Sequence, residues 1–190
     1  MALALTFDDG PDPRWTERLL DVLADAGAGA TFFPIATRAT AYPDLIDRIA
    51  SGGHQIGLHC HEHVRHSDRS IEWCRRDTER ALDLLGSVGV RPPMLWRTPW
   101  GDTAPWSADV AHENQLKIIG WTVDTHDWRG DTAQRMLRVT KDELRDGAIV
   151  LAHDGIGPGA RRADARETIE YVSLVAEHAA AAGLELGMPA

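Results

Sequence analysis

Two adjacent carboxylates, Asp8 and Asp9, and two histidines four positions apart, His59 and His63, are the residues here best suited to chemistry. Each group follows a short apolar run. Ala2 to Leu5 leads into Thr6-Phe7-Asp8-Asp9-Gly10-Pro11, and Gln55 to Leu58 leads into His59-Cys60-His61-Glu62-His63. If the second loop curls through one helical turn, positions four apart share a face. Two imidazoles and one carboxylate can then hold a divalent ion and leave room for water and substrate. That set points to metal-assisted hydrolysis. Taken alone, an H-x-x-x-H is more often a pair of ordinary loop histidines, and adjacent acids often just cap a helix such as the one after Pro11-Asp12-Pro13. His54, His61 and His66 lie nearby, so spacing by itself leaves the ligand pair open.

Three further polar groups also follow apolar runs. Arg97, held by Pro99 and followed by Gly101, can orient a carboxylate through its planar fork. Asp124-Thr125-His126-Asp127-Trp128 comes next, and His153-Asp154-Gly155 closes the series. Asp124 and His153 can form an oriented acid, the carboxylate fixing the imidazole tautomer and raising its basicity.

The elements that must position these groups alternate. Strands are expected at Ala2 to Phe7, Ala30 to Ile35, His54 to Leu58, Met94 to Trp96, Lys117 to Val123, Ala148 to Ala152 and Leu184 to Leu186. Between them, helices are expected at Pro13 to Ala26, Pro43 to Ala50, Ser70 to Leu85, Ser107 to Asn114, Asp131 to Arg145 and Ala163 to Ala182. Such alternation argues for parallel strands with crossover helices. In that class the reacting groups gather at the C-terminal ends of the strands. Asp8, Asp9, His59, His63, Arg97, Asp124, Asp127 and His153 all follow an expected strand, which scattered surface polar residues would not do.

At 190 residues, with no linker and no low-complexity segment, the sequence suits a single domain over 1–190. A formal net charge of −9 argues against a nucleic-acid surface, because the basic pairs Arg75-Arg76 and Arg161-Arg162 are too short to offset it. Two cysteines, Cys60 and Cys74, exclude a disulfide framework. No signal peptide and no membrane-spanning run of about 20 apolar residues is visible, so a soluble cytoplasmic protein is expected. Seven Trp against two Tyr is the one strong bias, and Trp suits both cores and sugar-facing walls.

Together the five segments resemble the polysaccharide deacetylases, carbohydrate esterase family 4. The T-F-D-D-G motif is intact at Thr6 to Gly10. H-[ST]-x-x-H matches His59 to His63 with Cys60 in place of the hydroxyl residue, and R-x-P-[YF]-G matches Arg97 to Gly101 with Trp100 as the aromatic. D-x-x-D-W appears at Asp124 to Trp128 and L-x-H at Leu151 to His153. The resemblance implies a distorted, incomplete (β/α) barrel of about seven parallel strands. It implies hydrolysis of an N-acetyl, less often O-acetyl, group on a sugar. Asp9, His59 and His63 would bind one divalent ion, zinc first and cobalt as the alternative. Asp8 would be the general base, held by Arg97, and His153 the general acid, oriented by Asp124. The backbone N–H of Trp100 would face the oxyanion, Leu151 would line an acetyl pocket and Trp128 would form part of the groove wall. Asp127 would be a structural hydrogen-bonding residue of its loop.

Departures from the family pattern carry expectations of their own. Cys60 predicts a looser histidine loop, and sensitivity to oxidation if exposed. His61 and His66 could admit a second ion or tune pH dependence. Arg161, beside the Gly-rich stretch Asp154 to Gly159, is available for an anionic substrate group. The apparent lack of a leader favours a small acetylated metabolite over cell-wall polymer. Three other functions compete: a cyclic amide or imide hydrolase, an iron(II) facial-triad oxygenase, and a non-enzymatic carbohydrate-binding barrel.

Overall fold

The computed structural model describes residues 2–189. Its first strand, β1 (Leu3–Asp8), is buried along its whole length, which is why its sequence lacks polar alternation. It pairs in parallel with β2 (Thr31–Phe33) on one side and β7 (Ile149–His153) on the other. Beyond β2 lies β3 (Gln55–Ile56), beyond β7 lies β6 (Val123–Asp124), and β8 (Leu186–Gly187) joins the start of β1. A separate parallel pair, β4 (Leu95–Trp96) with β5 (Lys117–Ile118), is tied in by the bridge between Leu58 and Trp96. Among the described residues no β5–β6 pairing closes the ring. The result is the expected open, distorted (β/α) barrel, with eight short strands among the described residues where about seven were expected.

Register does the positioning. Asp8, the last residue of β1, stands opposite Phe33 on one neighbour and His153 on the other. Asp124 stands opposite Leu151. Three strands therefore deliver their terminal polar residues to one end of the sheet.

The helices cover the outside. They are α1 (Trp15–Asp25), α2 (Ala36–Ala41), α3 (Pro43–Ser51), α4 (Ile71–Ser87), α5 (Ser107–Glu113), α6 (Ala133–Thr140) and α7 (Arg166–Ala182). On α1, Trp15, Leu19, Leu20 and Leu23 turn inward at helical spacing, and the three leucines pack with Leu3, Leu5 and Phe7 in the main core. Burial of each such side chain contributes about 1.5–3 kcal/mol. Ser70 caps α4 by accepting from the Trp73 backbone N–H at 3.3 Å, and Thr132 caps α6 by accepting from Arg135 at 3.3 Å.

Three elements differ from the sequence expectation. α2 was not anticipated: Ala-Thr-Arg-Ala-Thr-Ala has no bulky apolar stripe, and its small residues Ala36 and Ala39 are buried in close packing on α4. The run Lys117 to Val123 is not one strand but β5 and β6 in different sheets. The break around Gly120 frees its carbonyl to accept from Arg97 Nη2 at 2.9 Å. The helix expected over Asp131 to Arg145 stops at Thr140 and continues as a 3-10 turn, Lys141–Glu143. There Thr140 Oγ1 turns back to the Met136 carbonyl and contacts the Tyr171 hydroxyl, so its side chain competes with the helix. Among the described residues no helix is long and apolar enough to cross a membrane.

Candidate active site

At the C-terminal end of the strands, Asp8, Asp9, His59, His63, Trp100, Asp124, Trp128, Leu151 and His153 line one cleft of about 330 Å³. Its size is at the low end of the range for small-ligand sites. Arg97 lies directly behind it.

Asp9, His59 and His63 converge. The imidazole Nε2 atoms lie 3.4 and 3.2 Å from Asp9 Oδ1, and all three donor atoms sit within 4.8 Å of one another. Donors about 2.0–2.1 Å from a tetrahedral zinc are about 3.3 Å apart, so this set has the spacing of a metal site. Asp9 Oδ1 is buried and has no hydrogen-bond partner, a costly state that a bound cation would relieve. His59 Nδ1 donates to the Arg97 carbonyl at 2.6 Å, which leaves its Nε2 lone pair for a metal. Burial would raise Asp9, but the neighbouring His59 and His63 imidazoles hold its carboxyl well below the usual range. Burial would lower His59, and the Asp9 and Asp8 carboxylates raise it instead. Asp9 also adopts φ 71°, a strained conformation for a residue with a Cβ. It turns the chain sharply after β1, so that adjacent carboxylates serve different partners.

The loop after β7 packs onto the same carboxylate. A Cβ added to Gly157 would fall 1.8 Å from Asp9 Oδ2, and one on Gly155 would fall 2.4 Å from the Asp9 carbonyl. Only glycine permits this approach. Arg38 ties the two segments together, donating to the Asp9 carbonyl at 2.7 Å and to Ile156 at 2.8 Å.

Asp8 meets a fully buried Arg97, whose Nη1 donates to Asp8 Oδ1 at 3.0 Å and to Thr6 Oγ1 at 2.7 Å. The guanidinium lies over the Phe33 ring at 4.5 Å. It contacts the carboxylate through one nitrogen, because its second terminal nitrogen is committed to Gly120.

His153 is gripped by Asp127. Its Nδ1 lies 2.7 Å from Asp127 Oδ1 and its backbone N–H donates to Oδ2 at 3.0 Å. Oδ2 also receives Thr168 Oγ1 at 2.8 Å and Arg162 Nη1 at 3.0 Å. Burial would raise Asp127, but the His153 and Arg162 charges hold it at about 2. Burial would lower His153, and Asp127 lifts it to about 9.

A model of the polysaccharide deacetylases matches residues 1–119. The chain belongs to the polysaccharide deacetylase family. A peptidoglycan-N-acetylglucosamine deacetylase of Bacillus cereus is 32% identical over 155 residues, covering 82% of this chain and 56% of that protein. A chitooligosaccharide deacetylase of Sinorhizobium fredii is 36% identical over 163 residues, covering 81% of this chain and 72% of its own. The family 4 carbohydrate esterase of Streptomyces lividans, solved with acetate, superposes with a TM-score of 0.88 at 26% identity over 98% of this chain and 92% of that one. The reaction class of the family is the metal-dependent hydrolysis of acetyl groups on sugars, and the cleft holds an Asp/His group fit for a metal.

Within this deacetylase site several sequence expectations need correction. Asp124 does not reach His153: its Oδ1 accepts from the His126 backbone at 2.8 Å and lies 2.6 Å from that ring's Nδ1. Asp127 is the partner instead, because the left-handed turn at His126 (φ 54°) redirects the chain between the two acids. Cys60 is 2% exposed, and burial, together with the nearby Asp77, pushes its thiol well up, so it is not a reactive group. Its loop is anchored from another side. Asp77 on α4 accepts from the backbone N–H groups of His61 and Glu62 at 3.1 and 2.8 Å.

Of the extra histidines, His61 lies with Glu62 and Asp77 in a second group whose donor atoms fall within 4.8 Å of one another, but two of its members have other partners. His61 Nε2 accepts from Arg80 at 3.0 Å, which assigns its proton to Nδ1, and Asp77 is spent on the loop backbone. His66 is buried against Trp96 and Trp106, and burial lowers it to about 4.

Sequence reasoning also missed Trp121, Arg162 and Asp77. Trp121 lay inside an expected strand, but it lines the cleft and packs on Gly101, where a Cβ would fall 2.6 Å from its ring. Arg162 read as half of a weak basic pair, yet its side chain is 6% exposed and clamps Asp127 and the carbonyls of His153 and Gly155.

Proposed function

We propose that residues 1–190 form one catalytic domain that hydrolyses the N-acetyl group of an amino sugar within a glycan, using a single divalent ion held by Asp9, His59 and His63. The convergence of those three donors on the unpartnered Asp9 Oδ1 carries the reading. Zinc is the preferred ion, since two imidazoles and a carboxylate suit it and leave an open position. When bound, it polarises the acetyl carbonyl and lowers the pKa of the attacking water.

The chain supplies the proton traffic. Asp8 is the general base, aimed by the Arg97 Nη1 contact at 3.0 Å. His153 is the general acid for the leaving amine. Asp127 holds its Nδ1 proton and leaves Nε2 to deliver the other. By likeness to the family, the backbone N–H of Trp100 meets the oxyanion. Trp100 takes φ 56°, an uncommon backbone conformation of the kind found at functional turns. Leu151 and Trp128 offer apolar walls for the acetyl methyl and the sugar.

The activities of the relatives, on peptidoglycan and chitooligosaccharides, favour glycan chains over the small metabolite. They also favour sugar amides over cyclic amides or imides. The test is acetate release by the metal-loaded protein from N-acetylglucosamine, its oligomers and a hydantoin-like ring, with Asp8→Asn alongside. Release from the oligomers, absent in Asp8→Asn, is expected. Ring opening without acetate would overturn the reading.

A further inference from the structure

The rim of the cleft differs in charge from the rest of the molecule. The whole chain carries −9, yet the aromatic walls of the cleft are faced with guanidiniums. Arg65 lies over the Trp100 ring at 4.7 Å and itself lines the cleft. Across the opening, Arg129 and Arg161 lie 5.0 and 5.9 Å from the Trp128 ring centroid. The Arg161 backbone N–H donates to the Trp128 carbonyl at 2.8 Å, which anchors the Arg161 main chain beside that wall.

These cations are poorly neutralised. Arg65 has Asp102 at 3.9 Å, and that carboxylate is already taken by the backbone and hydroxyl of Ser67 at 2.8 and 3.1 Å. Among the described residues neither Arg129 nor Arg161 forms an ion pair within 4.0 Å. Asp124 at the rim is occupied by His126. A cation–π contact leaves the guanidinium N–H groups free to donate, so the rim presents cationic donors to whatever enters.

We propose that the rim selects an acetylated amino sugar carrying an anionic substituent close to the acetamide, a carboxylate or a phosphate, with Arg65, which lines the cleft, as its principal contact and Arg161 and Arg129, beside the Trp128 wall, adding to the field. This rests on the deacetylase reading and names the substrate class within it.

The test compares kcat/KM of the metal-loaded protein on three glycans of equal length. One is a neutral N-acetylglucosamine oligomer, one alternates with N-acetylmuramic acid (a lactyl carboxylate), and one carries a 6-phosphate. The proposal expects the better anionic substrate to be favoured by about threefold to tenfold, the worth of two or three partly exposed ion pairs. The advantage should lie in KM, shrink as salt rises, and fall toward one in Arg65→Gln and Arg161→Gln. Which anionic glycan is favoured identifies the substituent. Equal rates on all three, or a preference untouched by both variants, would overturn the proposal. Equilibrium binding of the same glycans to Asp8→Asn separates the two readings. Selective binding of an anionic glycan, with no acetate from any substrate of the unaltered protein, would refute deacetylation and leave the anion site standing.

Discussion

His153 is held at two points by one carboxylate: its Nδ1 lies 2.7 Å from Asp127 Oδ1 and its backbone N–H donates to Oδ2 at 3.0 Å. The grip fixes both the position of the strand end and the direction of the ring. It also sets the charge, since Asp127 lifts His153 to about 9. A raised imidazole keeps its proton below that pH and loses it above, so the general acid is present at neutrality and fades on the alkaline side.

Replacing Asp127 by Asn should therefore lower kcat by about 10²-fold, within the range for an impaired acid–base group. It should also move the alkaline limb of the pH–rate profile downward. Asp124→Asn should leave that limb in place, because Asp124 contacts His126 instead. A limb that moves with Asp124 and not with Asp127 would reverse the assignment.

Gly157 predicts a ligand effect without a folding effect. In Gly157→Ala the new methyl would fall 1.8 Å from Asp9 Oδ2, so the carboxylate must turn. Zinc affinity should drop about tenfold or more, as for disturbed outer-shell partners. The melting temperature of the metal-free protein should barely change. Competition with a chromophoric chelator reads the first quantity and calorimetry the second.

Cys60 should be silent. At 2% exposure, with its thiol pushed up, it should resist thiol reagents in the folded protein and react only on unfolding. Asp77→Ala, by contrast, strips the acceptor from the His61 and Glu62 N–H groups. It should cost about 1–3 kcal/mol of stability in denaturant melts. It should also weaken zinc binding through His63, one residue further along.

What the sequence revealed and what it hid divide along physical lines. Asp8, Asp9, His59, His63, Arg97 and His153 were readable because each follows a strand, and the sheet register alone brings them to one end. The choice between Asp124 and Asp127 was not readable, since both lie in the same short loop. A single left-handed residue, His126, decides which carboxylate faces the histidine. Asp77 and Arg162 were hidden for a related reason: their partners lie on other elements, and only burial distinguishes them from surface charges. α2 was missed because Ala36 and Ala39 pack by being small, which leaves no apolar stripe to detect.

The most direct measurement is acetate release from N-acetylglucosamine oligomers as chelator-stripped protein is titrated with zinc. Activity should be absent at the start, rise linearly, and level off at one equivalent, since among the described residues one Asp/His/His set has free donor atoms facing a cleft. Activity that survives stripping, or that requires two equivalents, would contradict a single ion held by Asp9, His59 and His63.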